Sequence, residues 1–210
     1  MRSAVREIEH CVRESSDGSF SRRALIGAGA LGALASVPLA GRMFRLGDAL
    51  GSPSKAQDVR ILQLVLRVEY TQVAFYSQAL AHGALKGELR DFARTALAHE
   101  RQHLTAIRNA LGAKAGAKPT FDFGARIRSP KAFMRAAIEL EDTAVAGYNG
   151  QAANLTKGTL AVAAEIVSVE ARHAAWVRAI AGEVAAPEAV DQPMTAQQAA
   201  SGLHALGVSS

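Results

Sequence analysis

Apolar residues recur at helical spacing along most of the chain beyond residue 55, and glycine and proline clusters divide the pattern into four segments. In the first segment the apolar positions form a widened stripe, as in a helix that buries a broad face inside a bundle. Gly112 and Gly182 follow the second and fourth segments, and Ser129-Pro130 supplies an N-cap and a first-turn proline for the third. The pattern predicts helices at about 55–80, 88–111, 130–148 and 158–180, with Asn149-Gly150 beginning the connection after the third.

The lengths of the connections predict how these helices are arranged. Short turns after the first and third helices make two antiparallel hairpins. The roughly 17 residues between the second and third helices can span about 55 Å when extended. A helix of about 24 residues is only about 36 Å long, so this connection can cross the whole bundle. The sequence therefore predicts an all-α four-helix bundle of two antiparallel hairpins joined by a long crossover, with the second and third helices parallel.

Two patterns occur twice in the chain, which indicates an internal duplication. E-x-T-x-V-A-x-Y begins at Glu69 and returns 72 residues later, and E-x-x-H-x4-R-x3-G begins at Glu100 and returns 70 residues later. The repeated acidic and imidazole residues are Glu69, Glu100, His103, Glu141, Glu170 and His173. Each E-x-x-H pair places both side chains on one helix face, and each lone glutamate is flanked by apolar positions that face the core.

Four carboxylates and two imidazoles that converge inside a bundle can hold two divalent metal ions. The duplication gives each ion one histidine and at least one terminal carboxylate, and leaves two carboxylates to bridge the pair. Such oxygen and nitrogen donors suit iron or manganese. Burying four glutamates without cations would cost several kcal/mol each. The alternatives are a site that holds no metal, exposed side chains, or buried ion pairs with Arg67, Arg101 or Arg172.

The ligand on the third helix and the role of two nearby tyrosines each allow two interpretations. Glu139 competes with Glu141 as the ligand of the third helix, but the duplication aligns Glu139 with Arg67, a plausible surface position, so Glu141 is preferred. Tyr76 and Tyr148 lie two turns from the lone glutamates on the same face. Core packing is the favoured interpretation of these tyrosines, and hydrogen bonds to groups around the ligands, or electron relay, are the alternative.

The remaining histidines and the single tryptophan are not assigned to the site. His99 points about 100° away from its neighbour Glu100 and is not expected to be a ligand. His82 and His204 are expected at the surface. Trp176 is predicted on a different face from His173, where it would serve packing.

Residues 1–40 differ in character from the rest of the chain. The segment 21–26 (SRRALI), with Arg22 and Arg23, resembles the twin-arginine export motif and precedes a weakly apolar run with an A-x-A-like cleavage sequence at 33–35. We expect an export signal, the twin-arginine export machinery as a partner, and a location in the periplasm or cell envelope. An uncleaved membrane anchor and a buried N-terminal helix are the alternatives. The predicted organisation is a signal segment at 1–40, a linker at 41–54, the bundle at 55–183, and a tail at 184–210 with a short helix at about 195–206.

Composition narrows the choice of fold and partner. Abundant alanine and only 5% aromatic residues favour helices, and the single cysteine, Cys11, excludes a disulfide framework beyond it. The formal charge of +5 is modest, and no later segment combines basic and aromatic residues as a nucleic-acid footprint would, so no nucleic-acid partner is expected. From residue 41 onward 19 basic residues outnumber 15 acidic ones, which disfavours a mineral-storing cage and leaves a smaller homo-oligomer open.

The order of one glutamate, E-x-x-H, one glutamate and E-x-x-H resembles the ferritin-like di-metal carboxylate superfamily over about residues 55–183. Together with the arginine pair, Glu-Asp-Thr and a nearby Ala-x-Tyr are similar to exported bacterial ferritin-like proteins related to plant desiccation-associated proteins. The resemblance implies a ferritin-like bundle that binds two divalent ions, iron in the first place or manganese. It implies three functions: oxidation of Fe²⁺ with O₂ or peroxide, manganese-dependent disproportionation of peroxide, or a non-catalytic, stress-related binding or scaffold role.

Overall fold

A computed structural model describes residues 52–209 of the chain. The predicted signal segment, including Arg22 and Arg23, and most of the predicted linker lie outside these residues. The α-helices of the described part are α1 (Lys55–His82), α2 (Gly87–Leu111), α3 (Pro130–Gln151), α4 (Lys157–Ala181) and α5 (Ala196–Ala205). Short 3-10 turns occupy Gly112–Lys114, Gly124–Ile127 and Ala152–Asn154, and the strands are β1 (Thr120–Phe121) and β2 (Val208–Ser209). None of the helices between residues 52 and 209 combines the length and apolar character needed to cross a membrane.

Capping residues account for where several helices begin and end. Ser54 and Ser129 have extended backbones, and the side chain of each accepts a hydrogen bond from the backbone N–H three residues further on. Pro130 then occupies the first position of α3, as predicted. Gly83 and Gly182 adopt φ angles of 79° and 76° at the ends of α1 and α4, a left-handed conformation that glycine reaches without a steric penalty.

Helix α3 continues past the position where the sequence predicted a turn. Its last residue is Gln151, so Asn149 and Gly150 are helical. The reason is a tertiary contact: a Cβ on Gly150 would overlap the carbonyl of Met194, and the Met194 N–H donates to the Ala146 carbonyl at 2.9 Å. Glycine is therefore needed here for the close approach of the C-terminal segment, and the Asn-Gly signal for a turn is overridden.

The helices form two hairpins, α1 with α2 and α3 with α4, and the hairpins pack through α1 against α3 and α2 against α4. Asp58, near the start of α1, accepts a hydrogen bond from the N–H of Thr156 at the start of α4. These two helices therefore begin at the same end of the bundle, which makes α2 and α3 parallel. The two-hairpin bundle with a long crossover is confirmed.

The C-terminal segment is packed onto the bundle. Helix α5, at the position predicted for a short terminal helix, contacts α3 and α1, and Leu203 and Leu206 are buried in the core. Strand β2 pairs with β1 in antiparallel register, Phe121 opposite Val208, and so ties the tail to the crossover. The sequence did not indicate this pairing because strands of two residues show no alternation.

Two apolar clusters fill the interior of the bundle. One contains Phe75, Phe92 and Tyr76, and the other contains Leu66 and Tyr148. Each tyrosine hydrogen-bonds a buried glutamate, so a polar layer lies between the two apolar clusters. This layer holds the candidate site.

Candidate metal centre

The structure brings all six sequence-predicted ligands into the polar layer. The four glutamates have no solvent-exposed surface, His173 is 3% exposed, and the His103 side chain is 12% exposed. Helix α1 contributes Glu69, α2 contributes Glu100 and His103, α3 contributes Glu141, and α4 contributes Glu170 and His173. Each hairpin therefore supplies one lone glutamate and one Glu/His pair.

The six side chains divide into two overlapping groups of potential ligand atoms, and the atoms of each group lie within 4.8 Å of one another. The first group is Glu69, Glu100, His103 and Glu170, and the second is Glu100, Glu141, Glu170 and His173. Glu100 lies between the two imidazoles: its Oε2 is 2.9 Å from His103 Nδ1 and its Oε1 is 3.0 Å from His173 Nδ1. Each group has its own histidine and its own lone glutamate, and both share the two remaining carboxylates, the arrangement that the duplication predicted.

Several buried atoms of these groups lie near an imidazole or a carboxylate of the cluster but make no well-aligned hydrogen bond. They are Glu69 Oε2, Glu100 Oε1, Glu170 Oε1 and His173 Nδ1. Among the described residues, the ion-pair contacts of these glutamates come from His103 and His173, and the alternative of pairing with Arg67, Arg101 or Arg172 is not seen. Unpartnered carboxylate oxygens at full burial are unfavourable unless cations compensate them. The residues present fit a pair of divalent ions.

Protons stabilise the cluster when no metal compensates the carboxylates. Burial raises the pKa of Glu69 and of Glu170 well above the usual value, and the negative charge of Glu100 adds to the effect. Burial alone would also raise the pKa of Glu100, but the close contacts with His103 and His173 outweigh burial and lower that pKa. Burial opposes the charged form of His173, yet Glu100 and Glu141 raise its pKa to about 10. Metal binding here must therefore displace protons.

The two tyrosines connect the halves of the duplication crosswise. Tyr148 donates a hydrogen bond to Glu69 Oε1 at 2.6 Å, and Tyr76 donates to Glu141 Oε1. Burial, followed by the charge of the bonded glutamate, raises the pKa of both tyrosines, so both remain protonated donors. Core packing, the favoured interpretation, describes their surroundings, and the hydrogen bonds give them a second role as holders of the lone glutamates.

Gln72 belongs to the site and was missed in the sequence. Its side chain is fully buried, and its Nε2 donates to Glu170 Oε2 at 2.7 Å and to Glu141 Oε2 at 3.2 Å. The duplication aligns Gln72 with Ala144, so a search for repeated residues passes over it. Its position one turn from Glu69 on a buried face was the available signal.

Three side chains that the sequence placed at the surface are exposed in the structure. Glu139 is exposed, whereas Glu141 lies in the cluster. His82 and His204 are exposed, as predicted.

Trp176 was predicted on a different face from His173, and this is wrong: both line the same cavity. The indole does serve packing, since it contacts Phe92 edge-to-face and donates to Glu88 Oε1 at 3.1 Å. His99 belongs to neither ligand group, but its Nδ1 lies 2.9 Å from His173 Nε2.

A cavity of about 450 Å³ between α2 and α4 leads to the cluster. His103 and His173 form part of its wall, together with His99, Val169 and Arg172. No carboxylate is among the side chains lining this cavity in the described part of the chain. The cavity therefore gives small molecules access to the imidazole side of the site.

Comparison with known protein families supports the fold assigned to this chain. The family model for the ferritin-like domain matches residues 57–183, which include all six ligand candidates and the whole crossover. A comparison with curated proteins finds no match to this chain. The two-hairpin bundle, the paired ligand groups and the family match agree with one another, and the chain belongs to the ferritin-like domain family.

Proposed function

We propose that this protein binds two iron ions between its four helices and uses them to oxidise Fe²⁺ with O₂ or peroxide. The observation that carries the proposal is the set of four fully buried glutamates, three of which have an oxygen without a well-aligned hydrogen bond, gathered around two imidazoles. Mixed carboxylate and imidazole donors without thiolates suit iron, and manganese after it.

Each of the two ligand groups would hold one metal ion. Glu100 and Glu170, which belong to both groups, would bridge the ions, and each ion would have one further glutamate and one histidine. Bound iron would supply the exchange of electrons with dioxygen or peroxide. Tyr148 and Tyr76 hold the lone glutamates in place, and the apolar clusters on either side keep bulk water away from the carboxylates.

The cavity between α2 and α4 supports a route for a small oxidant. It contacts both ligand histidines, and Arg172 is its only fully charged lining side chain among the described residues. Because its one full charge is positive and no carboxylate between residues 52 and 209 lines it, the cavity favours a neutral or anionic oxidant over a cation.

Export of the folded protein is a further part of the proposal. The twin-arginine-like segment with Arg22 and Arg23 supports it, because that pathway is generally understood to move proteins that have already folded, often after they have bound their cofactors. Replacing both arginines by lysine in an expressing cell is expected to leave the protein in the cytoplasmic fraction. Unchanged recovery from the periplasmic or envelope fraction would contradict this part.

Metal uptake provides the main test. Protein purified without chelators, or reconstituted anaerobically with Fe²⁺, is expected to hold about two ions per chain by elemental analysis. Glu141→Gln removes a carboxylate charge from one group and is expected to reduce the uptake. Glu139→Gln changes an exposed glutamate on the same helix and is the matched control, expected to retain both ions.

Activity is then measured on the loaded protein. Consumption of O₂ or peroxide as Fe²⁺ is added, recorded with an oxygen electrode or a peroxide assay, would support the oxidase. Evolution of O₂ from peroxide by manganese-loaded protein would favour disproportionation instead. Bound metal without either activity would favour a binding or scaffold role, and failure of the wild-type chain to take up either ion would refute the metal centre.

A further inference from the structure

His99 and His173 form a hydrogen-bonded pair at the edge of the metal centre. His99 Nδ1 lies 2.9 Å from His173 Nε2, the planes of the rings differ by 13°, and the ring centroids are 5.2 Å apart. The centroid separation is close to the sum of the nitrogen–nitrogen distance and the two ring radii. The rings therefore lie edge to edge in nearly one plane, the geometry in which an imidazole N–H points directly at a neighbouring lone pair.

The position of His173 determines which ring donates. Its Nδ1 faces the cluster, 3.0 Å from Glu100 Oε1, so Nδ1 is the nitrogen available to a metal ion. A nitrogen that binds metal carries no proton, and the proton of the neutral ring is then on Nε2. The Nε2–H of His173 then donates a hydrogen bond to His99 Nδ1, and His99 carries its own proton on Nε2.

Only one half of the duplication has such a partner. The 70-residue offset that relates His103 to His173 also relates His99 to Val169, which lines the same cavity and has no side-chain hydrogen-bonding group. Within residues 52–209, no hydrogen bond is made to His103 Nε2. The two ligand histidines therefore have similar carboxylate surroundings but different support on their outer edge.

We propose, on the basis of the proposed metal centre, that His99 is a positioning residue that fixes the tautomer and orientation of His173 and makes the two metal positions unequal. The ion at the His173 position binds more tightly and fills first. Partners of ligand histidines typically change metal affinity by about 10- to 100-fold.

The test uses two variants of the full chain. His99→Val copies the residue that the chain's own second half carries, and His99→Asn keeps an acceptor oxygen close to the place of Nδ1. Each protein is titrated with Co²⁺ alone and followed by visible absorption and calorimetry. The wild type is expected to bind in two resolved steps. His99→Val is expected to weaken the tighter step by about 10- to 100-fold and leave the other unchanged, and His99→Asn to restore most of the loss.

Three results would overturn the proposal: an unchanged two-step profile in His99→Val, equal weakening of both steps, or an equal defect in His99→Asn. Nitrogen-15 NMR of the imidazoles in metal-free wild-type protein gives a readout that does not depend on metal. An unprotonated His99 Nδ1 and a protonated His99 Nε2 support the pairing, and the opposite tautomer overturns it. Failure of the wild type to bind Co²⁺, with the expected tautomer present, would refute the metal centre rather than the hydrogen bond.

Discussion

Replacing Asp58 tests how the two hairpins are joined at one end of the bundle. The Asp58 side chain, on α1, is almost fully buried and accepts three hydrogen bonds from the start of α4. These come from the N–H of Thr156 at 2.8 Å, the hydroxyl of Thr156 at 2.6 Å and the hydroxyl of Thr159 at 2.8 Å. Thr156 is the N-cap residue of α4, but its side chain makes no capping hydrogen bond. Asp58 therefore caps α4 from a helix in the other hairpin.

The expected loss in the free energy of unfolding on replacing Asp58 follows from these contacts. Loss of an N-cap costs about 0.5–2 kcal/mol, and a hydrogen bond to a charged group contributes about 1.5–3 kcal/mol. The three bonds share one carboxylate and are not additive, so we expect Asp58→Ala to lower the free energy of unfolding by about 3 kcal/mol. Asp58→Asn keeps an acceptor oxygen but loses the charge at the helix N-terminus, and about 1.5 kcal/mol is expected.

The same contacts predict a pH dependence. Burial by itself would raise the pKa of Asp58, but the hydrogen bonds from Thr156 and Thr159 outweigh it, and the pKa lies below its usual value of 3.8. Because the folded-state pKa is the lower one, the stabilisation is fully present above the unfolded-state value. It is lost as the pH falls below about 3.8 through the folded-state pKa. Asp58→Asn is expected to lose this part of the acid sensitivity.

Urea denaturation of the metal-free protein, followed by circular dichroism at neutral and acidic pH, measures both effects. Lys55→Ala is the matched control, because the Lys55 side chain is 86% exposed although its Nζ lies 3.7 Å from Asp58 Oδ2. An exposed pair of this kind contributes about 0–1 kcal/mol. The reasoning would be refuted if Asp58→Ala and Lys55→Ala lowered the free energy of unfolding equally, or if Asp58→Ala stayed within about 0.5 kcal/mol of wild type.

Three further results are expected from stability measurements. Gly150→Ala, whose new Cβ would overlap the Met194 carbonyl, is expected to destabilise the protein and loosen the C-terminal segment in hydrogen exchange. Gly158→Ala faces open space and should be neutral or stabilising by about 0.5 kcal/mol, so equal effects would contradict the packing argument. Leu203→Ala is expected to cost about 2–5 kcal/mol in urea denaturation and Val190→Ala, at a side chain 61% exposed, almost nothing; a silent Leu203→Ala would show that the tail is not part of the core. Divalent metal at about 100 times its dissociation constant should add about 2.7 kcal/mol of apparent stability, reversed by chelator, and an unchanged melting temperature would contradict binding.

The fold was predictable because the sequence features that indicate it are either local or depend only on the lengths of the helices and connections. Helical periodicity and capping residues such as Ser129 located the four helices, and the crossover is long enough to join the two hairpins with α2 and α3 parallel. The prediction failed where a distant contact changed a local preference. Gly150 within an Asn-Gly pair favours a turn, but the backbone of Met194 passes so close that the glycine is used for packing and the helix continues.

The sequence alone determined which six side chains meet at the centre, because the E-x-x-H spacing and the 70- to 72-residue repeat place them on facing sides of matched helices. Only the tertiary structure decided which residues support them. Tyr76 hydrogen-bonds Glu141, which is 65 residues away in the sequence. Gln72 hydrogen-bonds Glu170 over a separation of 98 residues, and His99 hydrogen-bonds His173 over 74 residues. Periodicity specifies the face of a helix, but not how far it slides or turns against its neighbour, and that packing selects the atoms that meet.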